Sequence, residues 1–284
     1  MVRAAPGVLL WAEVLAGPST DPLLLIADAG ASGVMWPDGL VTRLTEQHPV
    51  IRYDHRDTGR SSTTSGDATY GVAELADDAV ATLDAFDVDR AHVLGWGMGG
   101  HIAQLLLLDH AERLASVTLL ASGPLPGHGG GTLPGLPTAL RRLWAELDDP
   151  RDREGELAWR LTLDRLLHGG ELPFDAAEFR ARHERAMAHA GLDDPVGAHV
   201  HLAVPARGAA LARRSAVSGE VPTLVIEAQA DPVFPPPSGA LLADLLGQAR
   251  LVRMPGLGHA LGEAMSDPLA ETIRKHTMSI PTSA

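Results

Sequence analysis

Short apolar runs that alternate with helical patterns are the feature that most constrains the fold of this chain. Four runs have the length and residue types of buried strands: LLLIAD (23–28), VIRYD (50–54), AHVLGW (91–96) and SVTLLAS (116–122). Helical spacing of apolar residues lies between them, most clearly over residues 73–86. This alternation predicts a mostly parallel central sheet flanked by helices on both faces.

The alternation is interrupted in the middle of the chain. Residues 123–137 are rich in glycine and proline, which indicates a hinge, and the segments that follow have helical spacing without a strand pattern. Insertions of this length in compact domains are usually functional lids. We therefore predict a core domain of residues 1–123 and 219–284, with a helical cap of residues 124–218 inserted after the sixth strand.

Composition excludes several classes of function. Apolar residues make up 45% of the 284 residues, and the net charge of −13 argues against nucleic acid or an anionic membrane as a partner. The absence of cysteine excludes disulfides and thiolate nucleophiles. No run approaches the roughly 18 apolar residues of a membrane span. Glu13 interrupts the apolar N-terminal segment, so we expect no signal peptide and a cytoplasmic protein.

The stretch GWGMGG, residues 95–100, joins a predicted strand to a predicted helix. At such a junction the pattern Gly-x-Ser-x-Gly places a catalytic serine on a sharp turn. Here the middle position is Gly97, which has no side chain and cannot form an acyl-enzyme. The sequence thus predicts the turn that carries a nucleophile, but not the nucleophile.

An acid and a base follow two later strand patterns. Asp231 comes after the run at 222–229, and His259 comes after the run at 250–256. Ligands bind beyond the carboxyl ends of strands in open parallel sheets, so both side chains are predicted to meet the turn at Gly97. Asp231 would hold His259 in one tautomer and stabilise the imidazolium that forms when the ring accepts a proton.

In this order of nucleophile position, acid and base, the chain resembles the α/β-hydrolase superfamily. The segments GASGVMWPD (30–38) and YDHRDTGRSS (53–62) are most similar to the aclacinomycin methylesterase group, whose members remove a methyl ester from an aromatic polyketide. The resemblance covers nearly the whole chain and is weakest in the cap. It implies an α/β-hydrolase fold and an apolar, polyketide-like small molecule as substrate.

The resemblance also implies an oxyanion hole, but with an unusual residue beside it. The family usually has a His-Gly pair at the entry to the oxyanion loop, whereas this chain has Ala27, Asp28, Ala29 and Gly30. By position, the backbone N–H groups of Asp28 or Ala29, together with that of Met98, would form the hole. Three roles are open for the Asp28 carboxylate: bonding the tight turn, repelling a developing oxyanion, or acting as a second base.

Substrate contacts are predicted from large side chains near the turn and in the cap: Trp96, Met35, Trp36 and Trp144. No glycine-rich loop with a Gly-Lys-Ser/Thr ending precedes a helix, so we predict no nucleotide cofactor. His199 and His201 have metal-like spacing but no evident third ligand, so we predict no metal. The oligomeric state is left open between monomer and homodimer.

Three functions fit these features. The first, which we favour, is an enzyme without a serine nucleophile that uses His259 and Asp231 as a general base in cyclisation, elimination, decarboxylation or direct hydrolysis. The space left at position 97 would then admit a substrate atom or a water. The second is a methylesterase-like ester hydrolase inactivated because Gly97 replaces its serine. The third is a non-catalytic protein that binds an apolar ligand.

Overall fold

A seven-stranded sheet forms the centre of the chain. The computed structural model describes residues 1–63, 70–125, 135–147, 149–191 and 221–280. In chain order the strands within these ranges are β1 (Val2–Ala5), β2 (Val8–Leu10), β3 (Ala12–Leu15), β4 (Leu23–Ile26), β5 (Val50–Tyr53), β6 (Ala91–Trp96), β7 (Leu114–Leu120), β8 (Thr223–Ala228) and β9 (Arg250–Met254). The sheet order is β3-β5-β4-β6-β7-β8-β9, and only β3 is antiparallel to its neighbour. The predicted mostly parallel sheet is confirmed.

Helices cover both faces of this sheet. Within the described ranges they are α1 (Asp38–Thr45), α2 (Val72–Ala85), α3 (Met98–Asp109), α4 (Thr138–Trp144), α5 (Arg153–Leu167), α6 (Ala176–Ala190), α7 (Ser238–Leu246) and α8 (Ser266–Thr277). Leu24 of β4 packs in one hydrophobic core with α2, α3 and α7, whereas its neighbour Leu25 packs in a second core with α1 and α8. Successive side chains of a strand point to opposite faces, so a strand buried on both faces is apolar throughout.

The helical insertion lies between β7 and β8 and contains α4, α5 and α6. It therefore follows the fifth strand of the main sheet, and the seventh strand of the chain, rather than the sixth as predicted. The count along the chain is two higher than the count within the main sheet, because β1 and β2 pair with each other in a separate antiparallel hairpin. The division into a core (1–123 and 219–284) and a cap (124–218) stays a prediction.

Part of the predicted hinge, and the end of the predicted cap with His199 and His201, lie outside the described residues. Among the residues that are described, no helix combines the length and apolar character that crossing a membrane requires.

Candidate active site

A single residue makes the turn from β6 into α3. Gly97 has φ 57° and ψ −115°, a conformation that residues with side chains rarely adopt. Its N–H donates to the Leu120 carbonyl (3.0 Å), and its own carbonyl accepts a hydrogen bond from Ser122 Oγ (2.8 Å). These bonds fix the turn to the end of β7. The turn has the sharp strand-to-helix form of a nucleophile elbow.

The first turn of α3 lies against the end of β4. A Cβ atom on Gly99 would stand 2.1 Å from the Ile26 carbonyl oxygen, so only glycine permits this approach. The residues that follow β4, beginning with Ala27 and Asp28, are thereby brought beside the elbow.

His259 and Asp231 meet at the same edge of the sheet, beyond the ends of β9 and β8. His259 Nδ1 lies 2.9 Å from Asp231 Oδ2, and both residues are buried. The other carboxylate oxygen of Asp231 accepts the backbone N–H groups of Val233 (2.6 Å) and Phe234 (3.0 Å). The histidine is therefore oriented by a carboxylate that is itself fixed by its own turn.

The histidine loop is also held from two sides through its backbone. The His259 N–H donates to the carbonyl of Leu167, the last residue of α5, at 2.7 Å. Trp96 Nε1 donates to the His259 carbonyl at 2.8 Å. The inserted helices and the elbow strand thus both position the ring.

Asp28 occupies the other side of the His259 ring. Its Oδ2 lies 2.9 Å from His259 Nε2, and its Oδ1 accepts the Met98 N–H at 2.8 Å. The Ala29 N–H donates to the same carboxylate. The two donors expected in the oxyanion hole are therefore directed at Asp28, and their role toward a substrate stays a prediction.

The space above Gly97 is filled by Asp28, which corrects the expectation of a vacancy for substrate or water. A Cβ atom built on Gly97 would stand 2.0 Å from Asp28 Oδ1 and 2.4 Å from its Cγ. The carboxylate has reached the volume into which a side chain at position 97 would project. It points into the site as well as bonding its own turn, and its roles toward an oxyanion or as a second base stay predictions.

The three groups form a carboxylate–imidazole–carboxylate row, in which the pKa values of His259 and Asp28 are shifted in opposite directions. Burial disfavours the charged ring, but the adjacent charges of Asp231 and Asp28 outweigh it and raise the pKa of His259 to about 10. Burial likewise opposes ionisation of Asp28, yet the His259 charge and the hydrogen bonds from the ring, Met98 and Ala29 lower the pKa of that carboxyl. At neutral pH these shifts favour an imidazolium at His259 and an ionised carboxyl at Asp28.

We expect the charged form of His259 to stabilise the fold. Its pKa is raised from 6.5 to about 10, so the contribution is complete below about pH 6.5 and is lost as the pH rises through about 10. One pKa unit corresponds to about 1.4 kcal/mol, so the loss is on the order of a few kcal/mol. Urea denaturation across this pH range measures the loss of stability. NMR of the isotopically labelled His259 ring follows its protonation directly. A His259 ring that titrates near its ordinary pKa of 6.5 would contradict an imidazolium held between the two carboxylates.

His101 is a site residue that the sequence analysis missed. Its ring on α3 lies 5.4 Å from that of Phe234, which lies 5.8 Å from the His259 ring. Burial lowers the pKa of His101 to about 4, so the ring is neutral at neutral pH. Its Nε2 is buried and has no hydrogen-bond partner among the described residues. Its place one helical turn beyond Gly97 is the signal that could have indicated it.

The predicted substrate contacts are distributed unevenly. Trp96 borders the site through its bond to His259, and the Trp36 ring packs on it at 5.6 Å. Trp36 is fully buried. Met35 is half-buried beside it, and Trp144 ends α4. Within the described ranges, no hydrogen bond or ring contact joins Trp144 to the row. All four contacts stay predictions.

In the described part of the chain, no cluster of three or more histidine, aspartate or glutamate side chains is arranged as a metal site. The row at His259 uses both ring nitrogens for carboxylates instead.

The fold and this site define a class of protein. A family model described as the alpha/beta hydrolase fold matches residues 21–263, and the chain belongs to that family. Solved structures agree: the chain superimposes on the esterase RhEst1 from Rhodococcus sp. ECU1013 with a TM-score of 0.75 at 18% identity, covering 98% of this chain and 97% of that one. A hydrolase from Pseudomonas aeruginosa PA01 gives a TM-score of 0.68 at 26% identity, over 97% and 95% of the two chains.

Two curated relatives are similar over almost their whole length. The chain is 43% identical to the rhodomycin D methylesterase DauP of Streptomyces sp. (strain C5), over 95% of both chains. It is 42% identical to the rhodomycin D methylesterase DnrP of Streptomyces peucetius, again over 95% of both.

Proposed function

We propose that the protein is an enzyme that acts on an apolar, polyketide-like small molecule by proton transfer, without a serine nucleophile. Gly97 stands at the position where the family carries that nucleophile, and His259 with Asp231 supplies acid–base chemistry. One observation carries the proposal: the Asp28 carboxylate fills the space above Gly97 and bonds His259 Nε2 at 2.9 Å. A charged oxygen there, beside an intact acid–base pair, suits proton movement.

Acyl transfer is disfavoured by the same contacts. An oxyanion formed from an ester carbonyl needs preorganised N–H donors at the position it will occupy. The Met98 N–H is bonded to Asp28 Oδ1 at 2.8 Å, and the Ala29 N–H is bonded to the same group. An ester in this site would meet a carboxylate where its developing negative charge needs donors.

Proton abstraction from carbon makes better use of the row. It turns a neutral C–H group into an enolate, whose negative charge is stabilised by a nearby cation. The imidazolium of His259 is such a cation and is buried, so water does not screen it. Cyclisation or elimination through an enolate is therefore the reaction class we propose, with the base being the row rather than the histidine alone.

The substrate class is supported by the relatives. Both similar proteins are named for rhodomycin D, and aromatic side chains of Trp96 and Phe234 lie beside the row. We propose a related apolar aromatic compound as substrate. The absence of cysteine suits the cytoplasmic location that we also propose.

A second candidate is a methylesterase that has lost its nucleophile. The 43% identity to a methylesterase over 95% of the chain, with Asp231 still bonded to His259, favours it. On this alternative the protein binds an ester but does not turn it over.

One assay separates the alternatives. We would incubate the protein in deuterated water with methyl benzoylacetate, an aromatic ester whose methylene lies between two carbonyl groups, and with rhodomycin D. We expect the benzoylacetate to gain deuterium faster than in buffer, and the rate to fall by about 10²–10⁴-fold in Asp231→Asn. The matched control is Asp164→Asn, because Asp164 bonds a histidine on other helices, His183, at 2.5 Å.

The products decide the outcome. Deuterium gain that depends on Asp231 supports the proposal. Release of methanol from either ester identifies an active esterase and overturns it. Binding without any change in either compound identifies a ligand-binding protein and also overturns it.

A further inference from the structure

The members of the charged row are not equally accessible. The Asp28 side chain is 17% exposed, whereas those of His259 and Asp231 are 4% and 0% exposed. A molecule that enters the site therefore meets the carboxylate of Asp28 before the ring. Both ring nitrogens of His259 are already bonded to carboxylates, so the ring offers no lone pair to a substrate.

We infer that Asp28 is the catalytic base of this enzyme and that its substrate is a carbon acid, a C–H group flanked by two carbonyl groups. The inference rests on the proposed proton-transfer function. The group that accepts the proton is then an oxygen of Asp28, which follows β4, and not a side chain at the elbow.

Geometry supports this assignment. Oδ1 stands 2.0 Å from where a Cβ atom on Gly97 would lie, so it occupies the volume of the side chain that the elbow lacks. Glycine at position 97 is what admits it. The Met98 N–H holds this oxygen at 2.8 Å, and the His259 ring holds the other oxygen at 2.9 Å. A base fixed at both oxygens loses little orientational freedom in the reaction.

The proton step balances without a co-reactant. An Asp28 oxygen takes the proton, and the electron pair of the broken C–H bond moves into the enolate. The enolate carbon then attacks a second carbonyl of the same molecule and forms a carbon–carbon bond. The new alkoxide takes the proton back from Asp28, which restores the carboxylate. His259 stays protonated throughout and neutralises the enolate and then the alkoxide.

The strength of the base sets the substrate class. By Brønsted behaviour, a base of lower pKa needs a more acidic C–H group to remove its proton at a useful rate. The hydrogen bonds and charge around Asp28 lower the pKa of its carboxyl and make it a weak base. A hydrogen beside a single ester carbonyl is too weakly acidic for such a base. A hydrogen between two carbonyl groups is more acidic, because both carbonyls share the charge of the enolate.

Chemical rescue tests the role of the carboxylate. Deuterium exchange into methyl benzoylacetate is measured for the wild type, Asp28→Asn, Asp28→Gly and the control Asp164→Asn. We expect Asp28→Asn to lower the exchange rate about 10²–10⁴-fold, with binding of the compound, followed by tryptophan fluorescence, changed less than about threefold. Added formate is expected to restore exchange saturably in Asp28→Gly, whereas chloride does not, and Asp164→Asn is expected to match the wild type.

The outcomes separate the inference from the proposed function. Exchange that survives in Asp28→Asn but is lost in Asp231→Asn overturns the role of Asp28 and leaves proton transfer standing. The same holds if formate fails to rescue Asp28→Gly while circular dichroism shows it folded. If deuterium exchange with the wild type is no faster than in buffer alone, the proposed function itself is overturned. If Asp28→Asn does not fold, the role of Asp28 is decided by whether formate restores exchange in Asp28→Gly.

Discussion

Serine introduced at position 97 is expected to give an esterase only when Asp28 is removed as well. We expect the Gly97→Ser, Asp28→Gly double variant to hydrolyse p-nitrophenyl acetate at least about 10²-fold faster than either single variant. In Gly97→Ser alone, the new Cβ atom would meet Asp28 Oδ1 at 2.0 Å. The hydroxyl would then compete with a carboxylate for the His259 ring, and the Met98 N–H would remain bonded to Asp28.

Removal of the carboxylate changes three things at once. The Cβ atom at position 97 has room, His259 Nε2 is free to accept the serine proton, and the N–H groups of Met98 and Ala29 are free to bind an oxyanion. The loss of Asp28 also removes one of the two carboxylates that raise the pKa of His259, which brings the ring closer to the pKa of a general base. A burst of p-nitrophenol would report the acyl-enzyme.

The free energy of unfolding provides a second measurement of the interaction between positions 97 and 28. Gly97→Ser is expected to lower the free energy of unfolding by about 2–4 kcal/mol, from strain at positive φ and the displaced hydrogen bonds of Asp28. In the double variant the contact between the new Cβ atom and Asp28 is absent, so the two changes should couple by about 1–3 kcal/mol in a double-mutant cycle. Esterase activity in Gly97→Ser equal to that of the double variant would show that Asp28 does not occupy the serine position in solution.

The sheet and the order of the site residues could be predicted because they depend on local pattern. Both faces of β4 are buried, so its apolar run is uninterrupted, and Asp231 and His259 follow directly after β8 and β9. In a parallel sheet, residues that follow strand ends meet at one edge whatever their distance in the chain. The meeting of His259 and Asp231 at 2.9 Å is a consequence of topology.

The position of the Asp28 side chain could not be predicted in the same way. Its direction depends on the close approach of α3 to β4 at Gly99 and on the absence of a Cβ atom at Gly97. Both are packing relations between segments about 70 residues apart, which no local periodicity records. The same limit applies to Trp36, whose aromatic character gave no indication that the fold buries it completely.

Replacement of His259 is expected to be the most destabilising single change in the site. His259→Gln keeps a hydrogen-bonding side chain but removes the positive charge between Asp28 and Asp231. Each carboxylate lies 2.9 Å from a ring nitrogen, so both lose a buried counter-charge. Loss of one partner from a buried ion pair typically costs about 3–5 kcal/mol, and we expect a loss near the lower figure at about pH 7 because backbone N–H groups still hold both carboxylates.

The dependence on pH distinguishes lost charge from lost packing. In the variant, Asp28 no longer faces the His259 charge that lowers the pKa of its carboxyl, so protonation of Asp28 costs the folded state less as the pH falls. In the wild type, the lowered pKa of Asp28 has the opposite consequence: its contribution is lost as the pH falls through that value. Protonation of the His259 ring stabilises only the wild type, so the deficit of His259→Gln is expected to grow as the pH falls from about 10 to about 6.5 and to shrink below about pH 6.5 in urea denaturation. His183→Gln removes a ring that bonds only one carboxylate, that of Asp164, so it should show a smaller deficit at about pH 7. A deficit of His259→Gln that is constant with pH would mean that the ring stabilises the fold by packing alone, and the row would then not hold an imidazolium.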